Sequence, residues 1–322
     1  MTDFKTLGEV FRTHQSFAIF SHANADGDTI GSALGLGVSL KKLGKKVIYI
    51  VPEPVPLKFS FLKDYEFFNK EREFLKKVEV GVLLDAAMTS RIEELEKELL
   101  HLKITIDIDH HSTSGEFATY NYIESSAPST SAILLKLFES EHFPIDADIS
   151  NAFFTGLMTD TGSFHYSNAT KEAFEIGSKL VGYGARPDFI GTMFYEQETL
   201  SHLKILGIAL MRMKAEGELA YSYLTLQDFV ANNASEEDTE GIVDYMRKLS
   251  QVKIILFFKE RSGDVKVSLR GKEGTNVKEI AERFGGGGHI LASGCALKLP
   301  LEDSITTVLK AVYDATEKRR EK

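Results

Sequence analysis

The stretch His22-Ala23-Asn24-Ala25-Asp26-Gly27-Asp28 decides how the rest of the chain is read. Before it stands the apolar run Phe17-Ala18-Ile19-Phe20, which predicts a buried strand. After it, residues 29–43 predict a helix, with Ile30, Leu34, Leu36, Val38, Leu40 and Leu43 as apolar positions. One imidazole and two carboxylates therefore lie on a strand-to-helix turn, where open α/β sheets hold their ligands. All three side chains can bind a hard divalent cation. The plainer alternative is a solvated turn in which Asp28 or Thr29 caps the helix.

Downstream the same kind of residue returns in the same kind of place. Strands are predicted over 45–51, 78–84, 102–108 and 117–123, and helices over 91–100, 129–139 and 148–157. This alternation predicts an α/β domain: a mainly parallel sheet with helices on both faces. Asp85 ends the third strand, Asp109-His110-His111 end the fourth, and Asp160 follows the last of these helices. In a parallel sheet the carboxyl ends of the strands share one edge, so these residues can converge there. A carboxylate ending the apolar run Gly81-Val82-Leu83-Leu84 is costly unless something compensates it, and a cation is the obvious compensation. Singly, Asp85 reads as a helix cap, Asp160 as a turn and His110 as a core histidine. Four such sites in one predicted domain are hard to reconcile with coincidence.

The 322 residues suggest two domains, and the formal charge of −9 argues against a protein that tracks long nucleic acid. It leaves room for a short phosphorylated substrate. No apolar run approaches the ~20 residues of a membrane helix. The N-terminus lacks the pattern of a secretory signal, and Cys295 is the single cysteine, so a cytoplasmic protein is expected. Cys295 itself reads as a small core residue. Residues 170–210 read as helical, interrupted at Gly182, Gly184 and Arg186-Pro187. The expected organisation is a first domain over 1–185, a helical linker over 186–213 and a smaller α+β domain over 214–322. In the last, strands are predicted over 219–226, 252–259 and 265–270, and helices over 278–284 and 301–317. The run Gly285-Gly286-Gly287-Gly288-His289 lacks the Lys-Ser or Lys-Thr of a Walker loop. It is a flexible loop or a nest of backbone N–H groups for a phosphate. Arg270, at a predicted strand end, is a surface residue or a bidentate phosphate contact.

Together, His22-x-Asn24-x-Asp26-x-Asp28, Asp85, Asp109-His110-His111 and Thr159-Asp160-Thr161-Gly162 resemble the four motifs of the DHH phosphoesterase family. Gly285 to Gly288, with His289-x-x-Ala292-Ser293-Gly294, resembles the signature of its DHHA1 accessory domain. The two-domain form is similar to bacterial oligoribonucleases (nanoRNases) that also dephosphorylate 3′-phosphoadenosine 5′-phosphate. The resemblance implies two Mn²⁺ ions, with Mg²⁺ or Co²⁺ as substitutes. His22, Asp26 and Asp85 would hold one; Asp28, Asp85, His110 and Asp160 would hold the other. Asp109 would orient a ligand, and His111 would lie beside the scissile phosphate, giving Asp85, Asp109 and His111 catalytic roles. Arg270, Ser268, Gly286, Gly287, Gly288 and His289 would bind the substrate. The implied substrates are short 5′-phosphorylated oligonucleotides such as pApA, with 3′-phosphoadenosine 5′-phosphate and cyclic di-AMP beside them. No membrane partner is implied, and a homodimer is compatible with the resemblance. The competing readings are an inorganic pyrophosphatase or exopolyphosphatase, and a nucleotide sensor without activity.

Overall fold

The structure, a computed structural model, describes residues 2–320. The chain divides into two compact units, Met1–Gln197 and Glu198–Lys322. The first contains, in order, α1 (Phe4–Thr13), β1 (Ser16–Phe20), α2 (Gly27–Lys42), β2 (Lys46–Ile50), β3 (Val80–Leu84) and α3 (Glu96–Leu100). There follow β4 (Ile104–Asp109), β5 (Tyr120–Ile123), α4 (Thr130–Glu141), α5 (Ala147–Asp160), α6 (Lys171–Gly182) and α7 (Pro187–Tyr195).

All five strands are parallel, in the order β2-β1-β3-β4-β5. Their side chains alternate between two cores. Phe17, Ile19, Val80, Val82, Leu84, Ile106 and Ile108 face α1, α2, α4 and α5. Ala18, Phe20, Ile48 and Leu83 face Leu75, Ile92, Leu95 and Leu99 on the opposite side. The predicted doubly covered parallel sheet is therefore present, although one cover is thin. Residues 91–100 do not form the single helix expected. A 3₁₀ segment over Thr89–Leu95 breaks at Glu93, whose φ of 53° and ψ of −125° leave the helical region, and only Glu96–Leu100 is α-helical. The region 57–77 is likewise a series of 3₁₀ turns.

On the other face α2 and α5 lie unusually close. A Cβ at Gly31 would collide with the Ala152 carbonyl, so this position accepts no side chain. Gly31 and Gly35 thus serve packing against α5, and Gly37 leaves room for Tyr49 of β2. Strand order matters most for function. The chain leaves β1 toward β2 on one side and returns to β3 on the other, so the carboxyl ends of β1 and β3 flank the point where the winding reverses. That crevice is the ligand position of doubly wound sheets.

The second unit contains α8 (Leu200–Met211), β6 (Lys214–Glu216), β7 (Leu219–Leu224), α9 (Leu226–Ala231), α10 (Ile242–Arg247), β8 (Ile254–Glu260) and β9 (Val265–Gly271). It ends with α11 (Lys278–Glu282), β10 (Gly287–His289), β11 (Ala292–Leu297) and α12 (Leu301–Arg320). Segment 186–213 is divided, α7 lying in the first unit and α8 in the second. The second sheet runs β10-β11-β9-β8-β7-β6, antiparallel except for β7 and β8. α11 and α12 cover one face, and α8 and α10 the other. Cys295 is buried in the former core, where burial pushes its thiol up to about 11. Among the described residues no helix is long and apolar enough to cross a membrane.

Candidate active site

His22 lies two residues beyond β1, and Asp85 immediately follows β3, on the two sides of the reversal point. Asp26 is the N-cap of α2; its Oδ1 accepts from the amides of Asp28 and Thr29, each at 3.1 Å. The helix cap is therefore Asp26, neither Asp28 nor Thr29. Its other oxygen remains available and lies 3.9 Å from His22 Nε2. The His22 ring is buried, and burial holds it below its ordinary pKa. Its Nδ1 lies 2.7 Å from the Ala23 carbonyl, which takes the ring proton and leaves the lone pair on Nε2.

Asp28 is buried at the N-terminus of α4. Its Oδ2 accepts from Thr130 N at 2.6 Å, and its Oδ1 from Ser131 N at 3.0 Å and Ser131 Oγ at 2.6 Å. Thr130 Oγ1 donates to Asp85 Oδ1 at 3.1 Å. One helix end thus steadies two buried carboxylates. The work of Thr130 and Ser131 on Asp28 and Asp85 joins residues about 100 and 45 positions apart.

Asp85 is 2 % exposed and sits at the centre of the site. His110 Nε2 is 3.4 Å and His111 Nδ1 3.5 Å from its Oδ1, and His110 Nε2 is 3.6 Å from Asp160 Oδ2. Ligand atoms of three sets come within 4.8 Å of one another: His22, Asp26 and Asp85; Asp28, His110 and Asp160; Asp85, His110 and His111. Asp85 belongs to two sets and so does His110. The structure therefore brings together every residue that the resemblance nominated as a ligand.

Electrostatics in this cluster are unfavourable without a cation. Burial and the charge of Asp28 push Asp85 well above the usual carboxylate range. Burial raises Asp28, and burial with the Asp28 charge raises Asp160 to about 6. Burial pulls His110 down, but the carboxylates around it prevail and raise it to about 10. His110 Nε2 nevertheless has no hydrogen-bond partner among the described residues. Asp160 also occupies the last turn of α5, where its charge meets the negative end of the helix. Crowded carboxylates and an orphaned ring nitrogen aimed among them are the donor set of a divalent cation. The residues present could hold a metal ion.

Asp109, expected to orient a ligand, faces His111. Its Oδ1 accepts from His111 Nδ1 at 2.7 Å and His111 N at 2.9 Å, and its Oδ2 from Ala87 N and Ser114 Oγ, each at 2.6 Å. Burial works against its charge, but these bonds bring it down to about 2. Asp109 therefore orients His111. His110 Nδ1 lies 3.3 Å from the Ala127 carbonyl, its hydrogen-bond partner among the described residues. Asn168, which sequence reasoning did not single out for the site, donates from Nδ2 to Asp160 Oδ2 at 3.0 Å and to the carbonyls of Asp160 and Pro128.

In the second unit only part of the glycine run is a loop: Gly285 lies in a turn and Gly286 outside any strand or helix. Gly287–His289 form β10, paired with β11 through Gly287↔Gly294 and His289↔Ala292. A Cβ at Gly286 would strike the Gly294 carbonyl, so the hairpin closes only over glycine. β9 pairs on the other side of β11 through Arg270↔Ala292 and Ser268↔Gly294. Arg270 and His289 therefore flank one residue in a row, with Ser268 and Gly287 in the next row on the same face. Arg270 is half-buried, 3.5 Å from Asp244.

Comparison with known proteins agrees with this layout. Residues 16–159 match the DHH family, N-terminal domain, and residues 216–318 match the DHHA1 domain. The chain is 31 % identical over 305 residues to the bifunctional oligoribonuclease and PAP phosphatase NrnA of Thermus thermophilus, covering 92 % of this chain and 89 % of that one. A crystal structure of an exopolyphosphatase-related protein from Bacteroides fragilis superposes with a TM-score of 0.84 at 27 % identity, over 98 % of this chain and 95 % of that one. RecJ of Thermus thermophilus, in complex with Mn²⁺, shares the fold at a TM-score of 0.56 and 13 % identity, over 97 % of this chain and 55 % of that one. With both domains in sequence and a relative matched over nearly its whole length, this chain belongs to the DHH family, its N-terminal domain followed by a DHHA1 domain.

Proposed function

We propose that this protein is a cation-dependent hydrolase of phosphoester bonds. It cleaves short 5′-phosphorylated oligonucleotides such as pApA to nucleoside monophosphates and removes the 3′-phosphate of 3′-phosphoadenosine 5′-phosphate. Cyclic di-AMP is a further candidate substrate. The observation that carries this reading is the convergence of His22, Asp26, Asp28, His110 and Asp160 around Asp85, in a chain 31 % identical to an oligoribonuclease and PAP phosphatase.

His22, Asp26 and Asp85 would hold one ion, and Asp28, His110, Asp160 and Asp85 a second. Imidazole and carboxylate without thiolate suit Mn²⁺, with Mg²⁺ or Co²⁺ as substitutes. When bound, such ions neutralise phosphoryl oxygens and lower the pKa of water toward ~7. The protein's own groups do the rest. His111 is oriented by Asp109, and its side chain is 37 % exposed, so substrate can reach it. In this reading it lies beside the scissile phosphate. Arg270, Ser268, Gly286, Gly287, Gly288 and His289 of the second unit would take up a substrate phosphate, Arg270, His289, Ser268 and Gly287 standing on one face of the sheet. With its single cysteine buried and unpaired, the chain suits a reducing cytoplasm.

The test is incubation with Mn²⁺ and pApA, a long RNA, 3′-phosphoadenosine 5′-phosphate, cyclic di-AMP and pyrophosphate, with products resolved by chromatography. Conversion of pApA to AMP, with long RNA a poor substrate, is expected. Equal turnover of dimer and long RNA would refute it. The Bacteroides fragilis structure, an exopolyphosphatase-related protein, makes polyanion hydrolysis the second reading. Release of phosphate from pyrophosphate or polyphosphate alone would favour that one.

A further inference from the structure

The segment after β3 turns back sharply. Asp85 and Ala87 both have φ of 59°, and Met88 N donates to Ala86 O at 2.6 Å. Arg91 N then donates to Met88 O at 3.2 Å, and the Arg91 carbonyl accepts from Ala23 N at 2.8 Å. The backbone of Arg91 is thereby fastened to the residue following His22. Its guanidinium Nη2 lies 3.1 Å from His22 Nδ1 and 3.4 Å from Nε2.

Among the described residues Arg91 stands apart from the other arginines of its unit. Arg12, Arg72 and Arg186 of the same unit pair with Glu141, Glu98 and Asp188. Arg91 forms no ion pair with a carboxylate among the described residues, although it borders a cluster of them. Nor does His22 satisfy it. The Nδ1 proton is committed to the Ala23 carbonyl, so Nδ1 cannot accept. Only Nε2 remains, at long range, and whatever takes that lone pair leaves the guanidinium with no protein acceptor. A partly buried planar fork of N–H donors, fixed beside the acidic cluster and paired with no carboxylate among the described residues, is a receptor for a phosphate's oxygens.

We infer that Arg91 is a substrate-contacting residue that receives the non-bridging oxygens of the phosphoryl group being cleaved. The inference rests on the phosphoesterase reading above. In hydrolysis of pApA, a water oxygen bonds to phosphorus, the P–O3′ bond breaks, and the departing O3′ takes a proton, giving two AMP. Negative charge gathers on the non-bridging oxygens as this happens. Arg91 neutralises it while gaining and losing no proton.

The experiment compares wild type, Arg91→Ala and Arg91→Lys for thermal midpoint, Mn²⁺ affinity by titration calorimetry, and steady-state kinetics on pApA. Both variants should melt as wild type does and bind Mn²⁺ within about twofold of it. Arg91→Ala should lose ~10²–10³-fold in kcat/KM, mostly in kcat. Arg91→Lys should recover only a minor part, since it keeps the charge and loses the fork. Two results overturn the inference: kcat/KM of Arg91→Ala within about threefold of wild type, or a loss that follows weakened Mn²⁺ binding and disappears at saturating Mn²⁺. The latter would make Arg91 a support for His22. Wild type inert toward pApA would refute the parent reading and this inference together, a result visible before any variant is compared.

Discussion

Asp107 carries a charge problem that the active site does not explain. It lies on β4 with its side chain buried, and neither carboxylate oxygen has a hydrogen-bond partner among the described residues. Burial, with the nearby charge of Asp109, raises it to about 8. The unfolded chain releases this proton near pH 4 and the native protein only near 8, so between those values the native state binds more protons. Stability is therefore highest below about pH 4 with respect to this group, and it falls as pH rises to about 8. Asp107→Asn removes the ionisation and keeps the shape. Its midpoint in cation-free buffer should exceed wild type by ~3 °C or more at pH 8, with the gap closing toward pH 4. A constant gap across that range would show that Asp107 does not titrate as described.

The element that prepares the site is the first turn of α4. Its two amides and two hydroxyls hold Asp28 and Asp85 in place, in positions that like charges would otherwise leave. Ser131→Ala removes one donor to Asp28 and leaves both backbone bonds. It should weaken Mn²⁺ binding ~10-fold, with a near-native circular dichroism spectrum. Unchanged affinity by calorimetry would show that the two amides suffice. Elements also mark where local pattern misled. The charged periodicity of 91–100 predicts one helix, yet residues 89–95 wind as 3₁₀, broken at Glu93, because Ala23 engages the Arg91 carbonyl and Ile92 and Leu95 enter the core. The second half of the glycine run is a strand because β11 offers it a partner, and Gly286 and Gly288 approach that strand too closely for a side chain.

For the whole molecule, the two units should respond differently to a cation. Among the described residues the clustered donors lie in the first, and a ligand that binds only the native state raises the midpoint of the unit that holds it. Mn²⁺ should raise one transition in scanning calorimetry and leave the other within about a degree, and EDTA should reverse it. Asp85→Asn should abolish the Mn²⁺ response while melting no lower than wild type in EDTA, because the buried charge it removes is unfavourable there. A variant that kept the full Mn²⁺ shift would exclude Asp85 as the shared ligand.

The amino-acid sequence by itself determined the parallel α/β class, the motif residues and the edge on which they meet. Alternation of apolar runs with amphipathic ones has few packing solutions, and parallel strands deliver all their carboxyl ends to one side. Tertiary structure alone decided the partners of those residues: Asp26 as cap, Asp109 for His111, α4 for Asp28 and Asp85, Asn168 for Asp160, and Arg91 against His22. These are contacts between segments brought together only by strand order and helix packing. Hydrogen-bond geometry at ~3 Å is a property of that arrangement and leaves no period or spacing along the chain.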